Sequence, residues 1–226
     1  MSTGAGRTTI TDEDLDIQAL RPIGDYVLIK LFEPATKTRG GLHLVRGAVG
    51  NGSECALGEV VAVGRGVWND CRMEYFPIEL EKGENVLIMQ YAGDRIELRD
   101  GKYRMVHSRW VAAKVVLKNK DTYEVSQLIP RMDHVALMPR KEEQSKGGIL
   151  YVQGLSDSKN RAARVVAVGP GLWHSETGKR LPVPLEPDDE VVFGRYLGAD
   201  VPMADGRLLR LVMEGDIVCK GVGIYE

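Results

Sequence analysis

No run of apolar residues in this chain approaches the 18 or so that a membrane-crossing helix needs, so no transmembrane span is expected. Cysteine is scarce. Cys55, Cys71 and Cys219 make an odd count without a C-x-x-C pair, which argues against a disulfide framework and a structural zinc site and suits a reducing compartment. Neither sign of charge is in excess: 30 Lys and Arg face 32 Asp and Glu, a formal net charge of -2, which leaves no broad basic surface for nucleic acid. The four histidines, His43, His107, His134 and His174, are scattered, with neither an H-E-x-x-H motif nor a metal-binding pair. A G-x-S-x-G elbow and a P-loop are also missing. The plentiful carboxylates sit in polar turns such as ELEKGEN and LEPDDE, where solvated surface charge is the expected role. These absences predict no catalytic residue, no metal site and no cofactor, and direct the search for function towards binding.

What the sequence does contain is a repeat. VVAVGRGVW at 60–68 returns as VVAVGPGLW at 165–173. Pro22, Asp25 and Val27 return as Pro130, Asp133 and Val135; KGENVLI at 82–88 answers PDDEVVF at 187–193; Asp100-Gly101 answers Asp205-Gly206. The offset drifts only from 108 residues at Pro22/Pro130 to 105 at Gly64/Gly169, so the copies differ by short insertions. Two units in tandem account for nearly the whole chain. The expected division is an N-terminal arm at 1–19, a first domain at 20–117, a polar linker at 118–127 (KNKDTYEVS and its neighbour) and a second domain at 128–226.

Both units have a β texture. YVLIKLF, GEVVAVG, NVLIMQY and WVAAKVV are short, rich in Val and Ile, and bounded by Gly, Pro, Asp or Asn. Sustained 3.6-residue apolar spacing over about ten residues is missing, so helices should be few. Asp100-Gly101 and Asp205-Gly206 predict tight hairpin turns, since glycine accepts the positive φ such turns require. Short strands at this interval point to a small barrel or sandwich in each unit.

The G-x-G in each copy of the nonapeptide is how a dinucleotide-binding fingerprint begins. Such a site also needs a third glycine and a helix whose N-terminus faces the pyrophosphate. Asn69 and His174 occupy the third-glycine positions, and proline-containing extended chain follows. Pro170 further removes an N–H that a phosphate would use. The motif reads instead as a strand that ends in a sharp corner.

One feature per unit has no evident structural purpose. Between the strand ending near Phe32 and the strand expected to open at Gly58 lies EPATKTRGGLHLVRGAVGNGSECAL, and the second unit has RKEEQSKGGILYVQGLSDSKNRAA. Connections longer than about 12–15 residues without structure of their own are usually functional or disordered. Each is polar except for an apolar island after Gly-Gly: Leu42, His43, Leu44 and Val45 after Gly40-Gly41, and Ile149, Leu150, Tyr151 and Val152 after Gly147-Gly148. Such islands are expected to order against a hydrophobic groove on a partner. A short hairpin folded onto the barrel is the plainer alternative.

Pro-x-x-Asp-x-Val, a long loop with a Gly-Gly-apolar island, Val-Val-Ala-Val-Gly-x-Gly, and Gly-Glu-x-Val or its equivalent, in that order, resemble the GroES-type ten-kilodalton co-chaperonin family, in both units. The tandem form is similar to the double-domain co-chaperonins of chloroplasts. The resemblance implies an all-β fold of two tandem GroES-like irregular β-barrels with long mobile loops. It also implies a non-enzymatic co-chaperonin that caps a GroEL-like chaperonin ring in an ATP-dependent manner, with ATP bound by the partner, and encloses non-native client proteins. The contacts it implies are Leu42, His43 and Leu44, and Ile149, Leu150 and Tyr151. A homo-oligomer is expected, with mixed rings containing single-domain co-chaperonins as an alternative; nucleic acid and membrane are not expected partners. His43 stands where the family prefers an aliphatic side chain, which predicts weaker or pH-dependent binding by the first loop. The hairpin after G-x-G, which closes the roof of the dome in this family, lacks a turn glycine in WNDCRMEYFP but has Gly178 in WHSETGKRLP, which predicts unequal roofs.

The other readings are a scaffold that binds a non-chaperonin protein through the same loops, a duplicate in which one unit only supports the other, and an alcohol dehydrogenase with a GroES-like domain, whose zinc ligands and Rossmann domain are missing here. MSTGAGRTTITDEDLDIQAL has no apolar signal core and is too acidic for a transit peptide, so a cytoplasmic protein is expected, with a mature plastid stroma protein as the alternative.

Overall fold

The computed structural model describes residues 9–11, 17, 20–32, 55–89, 92–98, 100–119, 123–140, 161–194 and 197–221. The arm supplies β1 (Thr9–Thr11), and the first repeat supplies β2 (Tyr26–Leu31), β3 (Cys55–Val63), β4 (Val67–Asn69), β5 (Glu74–Phe76), β6 (Asn85–Met89), β7 (Asp94–Leu98), β8 (Gly101–His107) and β9 (Val111–Asn119). The second supplies β10 (Glu124–Pro130), β11 (His134–Pro139), β12 (Ala162–Val168), β13 (Leu172–Trp173), β14 (Arg180–Leu181), β15 (Glu190–Phe193), β16 (Ala199–Pro202), β17 (Leu208–Met213) and β18 (Ile217–Lys220). The only helical turns among the described residues assigned to named elements are the 3-10 turns Ser108–Trp110 and Glu214–Asp216.

Six strands follow the same order in each unit. The first sheet runs β1-β7-β8-β2-β3-β6-β9-β10 and the second β16-β17-β11-β12-β15-β18. Each curls around its own apolar cluster. Val27, Ile29, Val60, Ile78, Val86, Ile88 and Val106 fill the first, and their repeat counterparts Val135, Leu137, Val165, Val183, Val191, Phe193 and Val212 fill the second. Side chains alternate across a strand. In β2, Leu28 therefore faces away from Val27 and Ile29 and packs with Ile96 and Tyr103, under Ile17 and Leu20. Strands buried on both faces read as continuous apolar runs, which is why YVLI and NVLI show no polar alternation.

The hairpin turns fall where expected, with Gly101 at φ 144 and Gly206 at φ 82. The strand expected to open at Gly58 begins at Cys55, because Cys55, Ala56 and Leu57 continue the antiparallel ladder on β6 and Cys55 and Leu57 are buried. Of the stretch 118–126, Lys118 and Asn119 end β9, and Glu124, Val125 and Ser126 begin β10. These two strands pair antiparallel, so the second repeat's first strand lies on the first repeat's sheet. A further cluster joins the repeats: Cys55, Leu57, Leu87, Ala112, Ala113 and Val115 pack with Val125, Leu128, Ala136, Val201, Leu209 and Leu211.

Candidate partner-binding site

The two long connections leave the barrels at equivalent places. Phe32 N–H donates to the Leu57 carbonyl at 3.0 Å, and Arg140 N–H donates to the Ala162 carbonyl at 3.0 Å, closing the root of each connection. The first leaves β2 and returns at the start of β3; the second leaves β11 and returns at the start of β12. Gly40, Gly41, Leu42, His43, Leu44 and Val45, and Gly147, Gly148, Ile149, Leu150, Tyr151 and Val152, all lie outside the described residues.

The far ends of β3 and β12 lead into G-x-G. At about 3.3 Å per residue, the nine residues of β3 set the loop root and the G-x-G corner some 25 Å apart. Gly64 N–H donates to the Tyr26 carbonyl at 2.8 Å and Gly66 N–H to the Gly24 carbonyl at 2.8 Å; Gly169 and Gly171 donate in the same way to His134 at 2.9 Å and Met132 at 2.8 Å. A Cβ would lie 2.2 Å from the Phe76 carbonyl oxygen at Gly66, and 1.7 Å from that of Leu181 at Gly171, where φ is also positive. The glycines serve close backbone approach at a corner, not phosphate binding.

Each corner launches a hairpin. β4 pairs with β5, and β13 with β14. The turns are capped alike. Asn69 Oδ1 accepts from the Arg72 N–H at 2.9 Å, and His174 Nδ1 accepts from the Glu176 and Thr177 N–H groups at 3.3 Å each. The missing turn glycine does not prevent the first hairpin: Met73 adopts φ 54 where Gly178 adopts φ 64. The hairpins touch each other. Phe76 and Trp173 stack at 5.2 Å between ring centres, Arg72 donates to the Thr177 carbonyl at 3.3 Å, and Arg180 pairs with Glu79.

Two barrels with equivalent loop roots, each topped by a hairpin, call for comparison with known families. The model of the chaperonin 10 kDa subunit family matches residues 19–115 and again 127–221. This chain belongs to that family. Its tandem arrangement is similar to the 20 kDa chloroplast chaperonin of Arabidopsis thaliana, 31% identical over 83% of this chain and 70% of that protein. It is also similar to the spinach 20 kDa chloroplast chaperonin, 29% identical over 88% of this chain and 74% of its relative. A single-unit relative, the co-chaperonin GroES of Lactobacillus helveticus, is 37% identical over 42% of this chain and 96% of its own length. The fold is thus two tandem GroES-like β-barrels.

Within this co-chaperonin fold, the junction of the barrels holds a buried polar site built on Arg131. Arg131 is 6% exposed, and its guanidinium donates to the carbonyls of Ser108 at 3.1 Å, Val111 at 3.0 Å and Ile78, all in the first barrel. Burial pulls its pKa down to about 10, against the opposing attraction of the Glu79 carboxylate. His134 is buried beside it and hydrogen-bonds the Arg131 carbonyl through Nδ1 at 3.1 Å. Burial pushes its pKa below the ordinary histidine value, outweighing Asp133, whose carboxylate lies 3.7 Å away. Sequence reasoning did not pick out Arg131. A signal existed, since the repeat places apolar Ile23 at the same position. The described residues include no group of three or more His, Cys, Asp or Glu placed to hold a metal ion, and no helix long and apolar enough to cross a membrane.

Proposed function

We propose that this protein is a co-chaperonin that caps a GroEL-like chaperonin ring in an ATP-dependent manner and encloses non-native clients while they fold. Membership of the chaperonin 10 kDa family in two tandem copies carries the reading. The equivalent placing of the two loop roots supports it. The contacts are Leu42, His43, Leu44 and Val45 after Gly40-Gly41, and Ile149, Leu150, Tyr151 and Val152 after Gly147-Gly148. ATP is bound and hydrolysed by the chaperonin; this chain acts by binding alone and needs no cofactor. We divide it into an arm at 1–19, barrels at 20–117 and 128–226, and a junction at 118–127. Several chains assemble into the cap, and the two chloroplast relatives support the plastid stroma over the cytoplasm as its compartment.

Weak contacts suit this task. A fully buried Leu or Ile contributes about 1.5–3 kcal/mol, and immobilising each side chain costs about 0.5–1.5 kcal/mol. One loop therefore binds weakly, whereas several in one assembly bind by avidity and release together when the partner changes shape.

Sedimentation with a GroEL-type chaperonin tests the reading. Co-sedimentation is expected with ATP and not without nucleotide. Leu42→Ser with Leu44→Ser, and separately Ile149→Ser with Leu150→Ser, should each weaken capping at least about tenfold. If only the second pair matters, the first barrel is a support. Failure to bind in any nucleotide state would favour a scaffold with another partner.

A further inference from the structure

The hairpin that joins the two barrels closes on a residue of the wrong kind for its backbone. β9 and β10 pair antiparallel with Asn119 opposite Glu124, and Tyr123, immediately before β10, adopts φ 54. That left-handed conformation at the close of a hairpin suits glycine or asparagine. A bulky L-residue holds it only where another contact compensates. Here the contact is a ring stack. Tyr123 lies almost parallel to Phe32, with ring centres 4.5 Å apart and planes 10° from each other. Both rings are half-buried. The separation and small tilt are those of an offset-stacked pair, which adds attraction beyond the area it buries.

Phe32 is the residue at which the first long connection leaves its barrel, and its N–H donates to the Leu57 carbonyl at 3.0 Å. Phe32 and Tyr123 both pack against the cluster that joins the repeats, in which Cys55 and Leu57, at the returning end, are buried. The second connection leaves its barrel differently. Arg140 occupies the place of Phe32 and makes the same backbone bond, to Ala162 at 3.0 Å. A long charged side chain stands there instead of a ring.

We propose that Tyr123 is a positioning residue for partner binding by the first loop: its ring clamps Phe32 to the hairpin between the barrels and fixes the root from which that loop sets out. The second loop leaves from Arg140 and lacks this stack. Ordering a segment on binding costs conformational entropy, and a root that is already fixed costs less. The clamp therefore makes the first loop a tighter binder than its apolar island alone would give, and offsets the polar ring of His43. The inference rests on the capping reading above and separates the two loops within it.

Tyr123→Gly and Tyr123→Phe test it on the full chain. Glycine removes the ring yet accepts the left-handed turn, so the hairpin is not strained by the change. Phenylalanine keeps the stack. Amide hydrogen exchange at Phe32 should quicken about threefold or more in Tyr123→Gly, with no change in Tyr123→Phe and none at Arg140 in either variant. ATP-dependent binding to a GroEL-type chaperonin should weaken about threefold to tenfold in Tyr123→Gly and recover in Tyr123→Phe. That weakening should vanish in a Leu42→Ser, Leu44→Ser background, where the first loop no longer contributes. Unchanged exchange at Phe32 overturns the clamp. Quickened exchange with unchanged binding, or an equal loss of binding in the Leu42→Ser, Leu44→Ser background, overturns the positioning role. A protein whose Phe32 exchange responds as expected but that binds no chaperonin in any nucleotide state keeps the clamp. It sinks the capping reading, together with the binding role that rests on it.

Discussion

Arg131 and His134 sit three positions apart at the start of the second barrel, and both are buried. The imidazole donates to the arginine's carbonyl through Nδ1, a bond that favours the protonated ring but that burial outweighs. Its neighbours act in both directions: Asp133 and Asp216 favour the proton, the Arg131 charge opposes it, and burial dominates. A histidine with a lowered folded-state pKa adds stability above its unfolded value, and that stability is lost as pH falls below it. In this window the unfolded chain takes up a proton that the folded one does not. The urea midpoint should accordingly fall as pH drops from about 6.5 to 5.5, and His134→Gln should flatten that slope. An unchanged slope in the variant would assign the dependence to other groups.

At the scale of the element, the two roof hairpins show one conformation reached with unlike residues. Gly178 accepts its left-handed backbone without strain, and its lack of a Cβ also admits Arg72, whose Nε lies 2.6 Å from where a Cβ would stand. Met73 holds nearly the same φ with a side chain 73% exposed. A left-handed conformation costs an L-residue roughly 1–2 kcal/mol, partly offset by the greater unfolded-state freedom of glycine. Met73→Gly should therefore stabilise the protein by about 0.5–1 kcal/mol in denaturant unfolding. A destabilised variant would show that the methionine makes contacts that outweigh the strain.

On the scale of the molecule, β9, β10 and the cluster around Leu87, Ala113, Val125 and Leu128 bind the barrels into one body. This pairing and packing predict that the halves stay together once the covalent link is cut. A protease site placed at 120–122 and cleaved should leave the halves co-eluting in gel filtration, separating only in denaturant. Separation in native buffer would mean that the connecting peptide holds the barrels together.

Tandem duplication, the all-β class, the hairpin turns and the non-nucleotide nature of G-x-G were all legible in the sequence. Each depends on local chemistry: repeated identity, the β-rich texture, turn glycines, and a missing third glycine. The apolar islands were legible as a composition, although Leu42, His43, Leu44, Ile149, Leu150 and Tyr151 lie outside the described residues. Sequence reasoning expected unequal roofs, because it weighed the absence of a turn glycine without the Asn69 cap that helps hold Met73's turn. Tertiary structure alone decided which partner each edge strand found. The 118–126 stretch is polar by composition, yet its ends form the strands that pair across the repeats. Arg131 could be understood only once three carbonyls from the first barrel surrounded it. Backbone pairing and the burial of a charge depend on groups brought together from distant parts of the chain, and no local pattern encodes which groups those are.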